Sequence, residues 1–178
     1  MTRLIREGIT LRNWRDSDAN ALPSIANCRE VSDNLRDGFP FPYTVKDAGE
    51  WLSATKKFRR RPTQYFAIDY HGKLVGSIGF VLKENIYRKN AEMGYFIGKQ
   101  YWGMGIATIA IGMIVDYIFS NFDIERIYAE PYAYNSASRR VLEKNGFTCE
   151  AVLKKYVIKN NILQDSCIYS RLRTPGDG

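Results

Sequence analysis

The junction that follows residue 97 constrains the fold more than any other part of the chain. Residues 91–97 predict a β-strand, the next segment reads Gly98-Lys-Gln-Tyr-Trp-Gly-Met-Gly105, and an apolar run from Ile106 to Phe119 follows. That run contains Asp116 and is shorter than the roughly 20 residues that cross a bilayer. It therefore predicts a buried helix and no membrane span, with a glycine-containing turn between strand and helix.

The glycines at this junction stand where a helix can bind an anion. A helix N-terminus has unpaired backbone N–H groups and a partial positive charge, and glycine lets a diphosphate approach the backbone closely. Gly103 and Gly105 occupy that position. The alternative is a tight turn whose glycines only bring the helix against the sheet.

The composition is typical of one globular domain and favours anionic ligands. The 178 residues are 45% hydrophobic, and the net charge is 26 − 19 = +7. Cys28, Cys149 and Cys167 are odd in number and widely spaced, which predicts neither a disulfide framework nor a metal site. The first residues lack an apolar stretch of signal-peptide length, so we expect a cytoplasmic protein.

The first third of the chain predicts a strand at 9–13 and two helices separated by an irregular segment. The first helix runs toward Cys28. Residues 33–43 are too rich in Pro, Gly and Asp for regular structure. The sequence Thr44-x-x-Asp47 is a capping box and begins the second helix, which continues to about Phe58.

The remaining patterns complete a single domain over 1–173, followed by a flexible tail at 174–178. A two-residue turn at His71-Gly72 and another at Asn160-Asn161 predict β-hairpins. Strands are predicted at 64–70, 73–82, 91–97, 126–132, 148–158 and 162–171, and a helix at 135–144 ends before Gly146.

Two common nucleotide-binding motifs do not fit the glycine turn. The dinucleotide pattern counted from Gly103 requires Gly or Ala at position 108, where the chain has Thr108. The P-loop pattern requires Lys after Gly103, where the chain has Met104. The pattern that fits is Q-x-x-G-x-G, which runs from Gln100 to Gly105.

This pattern resembles the pyrophosphate-binding signature of the GNAT superfamily of acetyl-CoA-dependent N-acetyltransferases, in particular its Rim-type branch. The resemblance covers four segments in the correct order: Ile9-Thr-Leu-Arg-Asn-Trp14, Glu92-Met-Gly-Tyr-Phe-Ile97, Tyr101-Trp-Gly-Met-Gly-Ile-Ala-Thr108 and Asn135-Ser-Ala-Ser-Arg-Arg-Val-Leu-Glu-Lys-Asn-Gly-Phe147. It implies a mixed α/β (α+β) GNAT fold, with a mostly antiparallel, splayed sheet of about seven strands and about four helices. It also implies acetyl-CoA as co-substrate and no metal.

The resemblance assigns the cofactor-binding residues to the turn and to the start of the helix after 126–132. A backbone N–H near Phe96 to Gly98 is expected to polarise the thioester carbonyl. Asn135 is expected to contact the pantetheine arm, although an ordinary N-cap explains it equally well. Arg139 and Arg140 are candidates for the 3′-phosphate, or are simply solvated. The complete set is Phe96, Ile97, Gly98, Gln100, Trp102, Gly103, Met104, Gly105, Ile106, Ala107, Asn135, Ser138 and Arg139.

Glu92 is the candidate general base. An alkyl ammonium has a pKa near ~10 and must lose a proton before it attacks. A strand carboxylate can accept that proton if burial raises its pKa. The alternative is an outward-facing carboxylate paired with Arg88 or Lys89. His71 is the only histidine and lies in a turn, so histidine catalysis is not expected.

Ser138 is the candidate proton donor to the leaving thiolate. Many GNAT enzymes have a tyrosine for this role at the position of Leu142, and this chain departs from that pattern. Rim-type members have a serine one turn into the helix, where Ser138 stands. A small residue packed near the cofactor is the alternative, and a thiolate can also leave without a dedicated acid.

The acceptor is expected to be a protein N-terminal amine, for example of a ribosomal protein. A small amine such as a polyamine, amino sugar, antibiotic or amino acid is the alternative within enzymes. A non-catalytic RNA- or ribosome-binding module is the alternative of another class, because of the net charge and the basic cluster at 56–61. The first interpretation of that cluster is that it complements the C-terminal dipole of the second helix. The residues leave a monomer and a homodimer equally open.

Overall fold

One sheet organises the computed structural model, which describes residues 3–58 and 63–177. Within these ranges the strands are β1 Arg3–Arg6, β2 Ile9–Asn13, β3 Thr63–Tyr70, β4 Lys73–Leu82, β5 Asn90–Ile97, β6 Arg126–Ala129, β7 Thr148–Lys159 and β8 Ile162–Leu172. The helices are α1 Asp18–Ala26, α2 Arg29–Ser32, α3 Val45–Phe58, α4 Ile106–Asn121 and α5 Ser136–Lys144.

The strand order is β1-β2-β3-β4-β5-β6-β8-β7. The first five strands form an antiparallel meander, β6 is parallel to β5, and the hairpin of β7 and β8 completes the sheet. The predicted mixed α/β class with a mostly antiparallel sheet is confirmed. The described part of the chain has eight strands and five α-helices, one more of each than expected.

Different helices cover the two faces of the sheet. Successive side chains of a strand point to opposite faces. On β3, Phe66 and Ile68 pack into the core that α4 fills, whereas Ala67 between them packs with residues of α1 and α3. Ile111 and Ile114 of α4 are completely buried. The long apolar run is therefore a core helix, as the sequence predicts.

Short-range signals predicted the turns and caps correctly. The Asp47 carboxylate accepts a hydrogen bond from the Thr44 N–H at 2.7 Å, and Thr44 Oγ1 accepts one from the Asp47 N–H at 3.3 Å. His71 has φ of +47° and Asn160 has φ of +53°, as tight hairpin turns require. Gly146 likewise has φ of +78° just after α5.

One strand is shorter than predicted, and another strand was not predicted. The strand expected at 126–132 ends at Ala129, because Pro131 has no N–H to donate to a ladder. Strand β1 was not predicted, since its side chains are mostly exposed and show no apolar alternation.

The C-terminal segment makes several hydrogen bonds to the end of the sheet. Asp177 accepts a hydrogen bond from the Thr174 N–H at 2.9 Å, and Arg171 pairs with its carboxylate. The Arg173 guanidinium donates to the Asp177 carbonyl at 3.1 Å. Residues 174–177 are therefore held against the end of β8.

The described residues include no helix that is long and apolar enough to cross a membrane. Cys28, Cys149 and Cys167 are all free thiols.

The sheet opens between β5 and β6, and this opening positions the site. Only Asn90 to Glu92 of β5 pair with β6, opposite Arg126 to Tyr128. Strand β5 continues to Ile97, whereas β6 ends at Ala129. The two strands thus separate after Glu92, and we call the space between them the cleft.

Candidate acetyl-CoA and acceptor site

Of the backbone N–H groups of Phe96, Ile97 and Gly98, one faces the cleft. The Gly98 N–H donates to the Val75 carbonyl of β4 at 2.9 Å, so it is used within the sheet. Peptide groups alternate sides along an antiparallel strand, which turns the Phe96 N–H toward β4 and the Ile97 N–H toward the cleft. The Ile97 carbonyl accordingly accepts a hydrogen bond from the Trp102 indole at 2.7 Å.

The glycine turn leaves its helix N-terminus open. Gly103 and Gly105 have φ of +78° and +76°, which L side chains rarely adopt. A Cβ on either glycine would meet no atom within 4 Å. The Ile109 N–H donates to the Gly105 carbonyl. The N–H groups of residues 106–108 come before this bond and have no hydrogen-bond acceptor within α4. This arrangement fits a diphosphate.

The other side chains of the turn are divided between the protein and the surface. Trp102 and Met104 are 48% and 50% exposed beside the open helix end. Gln100 instead donates from its amide to the Ser24 carbonyl of α1 at 3.3 Å. The glutamine of the Q-x-x-G-x-G pattern thus connects the turn to α1.

The start of α5 brings two hydroxyl groups together across the cleft. Asn135 Oδ1 accepts a hydrogen bond from the Ser138 N–H at 3.0 Å, so the N-cap interpretation is confirmed. Ser138 Oγ lies 2.9 Å from the Tyr95 hydroxyl of β5. Burial raises the pKa of Tyr95. Leu142 is completely buried, so this position belongs to the core.

Asn135 variants separate capping from cofactor contact. Replacing Asn135 with Ala should lower the free energy of unfolding by about 1 kcal/mol, because the Ser138 N–H loses its acceptor. Asn135→Ser should restore that stability, since serine caps equally well. If the Asn135 amide also holds the pantetheine arm, both variants will bind acetyl-CoA several-fold more weakly in titration calorimetry. Wild-type affinity in Asn135→Ser would leave capping as its only role.

Arg139 is used inside the protein. Its Nε donates to the Tyr169 hydroxyl at 3.1 Å, and its Nη1 donates to the Ala133 carbonyl at 3.1 Å. These bonds connect α5 to β8 and to the loop that precedes α5. The structure therefore gives no support to the predicted contact with a 3′-phosphate, and Arg140 is exposed.

The basic cluster is only partly described. Lys56 pairs with Asp16 at 2.6 Å. The side chains of residues 57–61, which make up the rest of the cluster, lie outside the described part. Among the described residues, no three His, Cys, Asp or Glu side chains come together as a metal site.

Glu92 lies at the mouth of the cleft between two cations. Its Oε1 is 2.6 Å from Arg36 Nη2, and its Oε2 is 2.6 Å from Lys83 Nζ. The Tyr128 hydroxyl donates to Oε2 at 3.3 Å. Burial by itself would raise the pKa of Glu92, but the hydrogen bonds and charges of Lys83 and Arg36 outweigh it and lower the pKa.

Glu92 was predicted either as a general base with a raised pKa or as a carboxylate paired with Arg88 or Lys89, and the structure differs from both. The pKa is lowered rather than raised, so the carboxylate is ionised at neutral pH but is a weaker base than a carboxylate with a raised pKa. The expected partners are engaged elsewhere: Lys89 pairs with Asp123, and Arg88 donates to the Asn85 carbonyl.

Aromatic rings and an open glycine flank Glu92 on the same face. Gly94 and Phe96 follow it at alternate positions of β5, and a Cβ on Gly94 would meet nothing within 4 Å. Phe39 packs against Phe96 at 5.3 Å and against Tyr43 at 4.9 Å. Tyr43 is buried packing, whereas Phe39 and Phe96 line the groove that Gly94 leaves open beside Glu92.

Sequence reasoning missed the residues that reach this site from a distance. Arg36 also lies 3.5 Å from Glu130, which follows β6. Neither residue belongs to a motif. For Tyr95 a signal existed, because strand alternation places it on the face opposite Glu92, toward α4.

Comparison with known proteins gives consistent matches. A family model described as the GNAT acetyltransferase domain matches residues 9–148. The uncharacterized N-acetyltransferase p20 of Bacillus licheniformis is 31% identical over 97% of both chains. The uncharacterized N-acetyltransferase YoaA of Bacillus subtilis is 39% identical over 98 residues, so the chain spans about half of that relative's length (55%). The ribosomal-protein-serine acetyltransferase of Escherichia coli is 27% identical over 64% of this chain and 63% of its own.

Solved structures share the fold. RimJ of Mycobacterium smegmatis, in complex with CoA-disulfide, is 25% identical with a TM-score of 0.85 over 95% of this chain and 85% of that one. RimL, a ribosomal L7/L12 α-N-protein acetyltransferase in complex with coenzyme A, has a TM-score of 0.86 at 20% identity over 95% of this chain and 96% of that one.

Proposed function

Because the chain belongs to the GNAT acetyltransferase family, we propose that it transfers the acetyl group of acetyl-CoA directly to a primary amine. One observation carries the proposal: the cleft between β5 and β6 lies beside the open N-terminus of α4. A thioester with a diphosphate at the other end of its pantetheine arm matches such a site. The relatives p20 and YoaA are N-acetyltransferases by name, and the Escherichia coli relative is an acetyltransferase by name.

The chain offers donors for both ends of acetyl-CoA. The N–H groups of residues 103–107, beside the positive end of α4, would bind the diphosphate. The Ile97 N–H would donate to the thioester carbonyl and stabilise the negative charge that develops on its oxygen. The Asn135 amide would contact the pantetheine arm between them.

Glu92 and Ser138 then divide the proton transfers. The acceptor ammonium first gives up one proton to Glu92, directly or through a water molecule, and Glu92 releases that proton to solvent. The free amine then attacks the thioester carbon, and its nitrogen gives up a second proton to Glu92 as the amide forms. The bond between carbon and sulfur breaks, and the thiolate takes a proton from Ser138 Oγ. The Tyr95 hydroxyl, hydrogen-bonded to Ser138, can replace that proton. A histidine is not needed for either transfer.

The acceptor proposed first is the N-terminal amine of a protein, since the name of the Escherichia coli relative states that that enzyme acetylates a ribosomal-protein serine. The groove flanked by Phe39, Phe96 and Gly94 is lined on one side by β5, along which an extended peptide could lie. A small polyamine is the second candidate, because two carboxylates, Glu92 and Glu130, face the groove.

An acceptor screen tests the proposal. Acetyl-CoA is incubated with serine-initiated peptides, the same peptides with an N-formyl group, and spermidine, and the products are measured by mass spectrometry. Acetylation of the free peptides alone supports the N-terminal acceptor, and acetylation of spermidine alone supports the polyamine. No product with any amine, together with salt-sensitive RNA binding, would contradict the enzyme and favour an RNA-binding module.

A Gly94→Val variant tests where the acceptor binds. The valine side chain would enter the groove between Glu92 and Phe96, whereas β-branched residues suit a strand and Gly94 has no positive φ. We expect the acceptor KM to rise about tenfold from overcrowding. Thermal stability and acetyl-CoA affinity should not fall. Gly94→Ala should have a smaller effect, and an unchanged KM in Gly94→Val would place the acceptor elsewhere.

A further inference from the structure

A single nitrogen atom of Arg36 bridges two carboxylates at the mouth of the cleft. Arg36 Nη2 lies 2.6 Å from Glu92 Oε1 and 3.5 Å from Glu130 Oε2. Building on the proposed function, we propose that Glu92 and Glu130 form a subsite for the acceptor's ammonium group, and that Arg36 occupies this subsite until an acceptor displaces it. Arg36 Nη2 then marks the place of the acceptor nitrogen.

Of the two cations paired with Glu92, Arg36 is more exposed to solvent and can be displaced more easily. Lys83 belongs to the segment at the end of β4, and its side chain is 30% exposed. The Arg36 side chain is 72% exposed and comes from the irregular segment 33–43. Water can screen this ion pair from the side of Arg36, whereas the Glu92 side chain is only 18% exposed. Lys83 alone can keep Glu92 paired after Arg36 has moved.

The segment that bears Arg36 is anchored independently of its guanidinium. Tyr132 and Tyr134 donate from their hydroxyls to the carbonyls of Leu35 and Asp33. Lys159 pairs with Asp37 at 2.9 Å. The Arg36 side chain can therefore swing into solvent about its own bonds while the backbone of 33–37 keeps its place.

Charge determines which acceptors this subsite accepts. Two carboxylates face two cations while Arg36 is bound, and one net negative charge remains when Arg36 leaves. A primary ammonium restores neutrality and delivers its proton beside Glu92. An acceptor with an acidic group next to its amine meets Glu130 and is disfavoured. The inferred substrate class is thus a primary amine that binds as its ammonium form, with no carboxylate beside it.

Steady-state kinetics of Arg36→Gln and Glu130→Gln test the subsite. Arg36→Gln should lower the acceptor KM about two- to fivefold, because the acceptor no longer competes with an ion pair of this strength. Glu130→Gln should raise that KM, since the subsite loses one of its carboxylates. The affinity for acetyl-CoA should stay constant in both variants. Arg29→Gln is the matched control, because Arg29 stacks on Phe41 in the same region and touches neither carboxylate.

A binding experiment keeps the subsite distinct from the activity. Without acetyl-CoA, ethylammonium chloride should raise the melting temperature of Arg36→Gln more than that of the wild type or of Arg36→Gln/Glu130→Gln, at equal sodium chloride as control. This result with no acetyl transfer would uphold the subsite and reject the proposed function. An acceptor KM that is unchanged or higher in Arg36→Gln, or equal stabilisation of all three proteins, would overturn the subsite.

Discussion

The Gly103→Val variant will lose acetyl-CoA binding while the protein stays folded. A Cβ at position 103 points into space that is open in the protein, and this is the space where the diphosphate would lie against the backbone. We expect the affinity to fall at least about a hundredfold, equivalent to about 2.7 kcal/mol. Titration calorimetry on the variant and the wild type measures the loss.

The chain contains a matched control for this variant. Gly72 in the hairpin turn has φ of +79°, against +78° at Gly103, and a Cβ there would also meet nothing within 4 Å. Gly72→Val should therefore lose similar stability, about 1–2 kcal/mol from the left-handed backbone, and keep its acetyl-CoA affinity. Equal affinity in both variants would reject the glycine turn as the diphosphate site.

The second large effect is expected for Glu92→Gln, which keeps the size of the side chain but cannot accept a proton. Loss of a general base lowers kcat by about 10²- to 10⁴-fold. The affinity for acetyl-CoA should remain that of the wild type. Glu150→Gln is the control, because Glu150 is also a strand carboxylate paired with an arginine, Arg126, and has a lowered pKa. Wild-type turnover in Glu92→Gln would leave Glu92 with a structural role only.

The lowered pKa of Glu92 also fixes the sign of its pH dependence. A carboxylate with a lowered pKa stabilises the folded state above its usual pKa of 4.5, and that contribution is lost as pH falls through the lowered value. Glu92 is therefore ionised throughout the neutral range. Because Glu92 is already ionised and the acceptor binds as its ammonium form, kcat/KM should not rise between pH 6 and the pKa of the acceptor amine, in the wild type or in Glu150→Gln.

Features encoded by neighbouring residues could be predicted from the sequence. The Thr44 and Asp47 capping box, the His71-Gly72 turn and the glycine turn at 103–105 depend on backbone preferences within a few positions. Strand alternation located most of the sheet for the same reason. The mostly exposed β1 could not be predicted, because it has no alternating apolar pattern.

Contacts between distant segments could not be predicted in this way. Glu92 was recognised, but its partner Arg36 comes from an irregular segment 56 positions away, and this contact helps to lower the carboxylate's pKa. The hydroxyl pair of Tyr95 and Ser138 joins two elements 43 positions apart. Gln100 fits a motif by its spacing, yet its amide bonds to α1. In each case tertiary packing decides what the side chain touches.

Thermal unfolding with and without acetyl-CoA tests the central claim most directly, with ATP and NAD as controls. A ligand at 100 times its dissociation constant adds about 2.7 kcal/mol to the free energy of unfolding. For a chain of this size that corresponds to a rise in melting temperature of about 5–10 °C. We expect this rise with acetyl-CoA and a much smaller one with ATP or NAD. An unchanged melting temperature with acetyl-CoA, or an equal rise with all three, would contradict the claim that the cleft and the glycine turn bind acetyl-CoA.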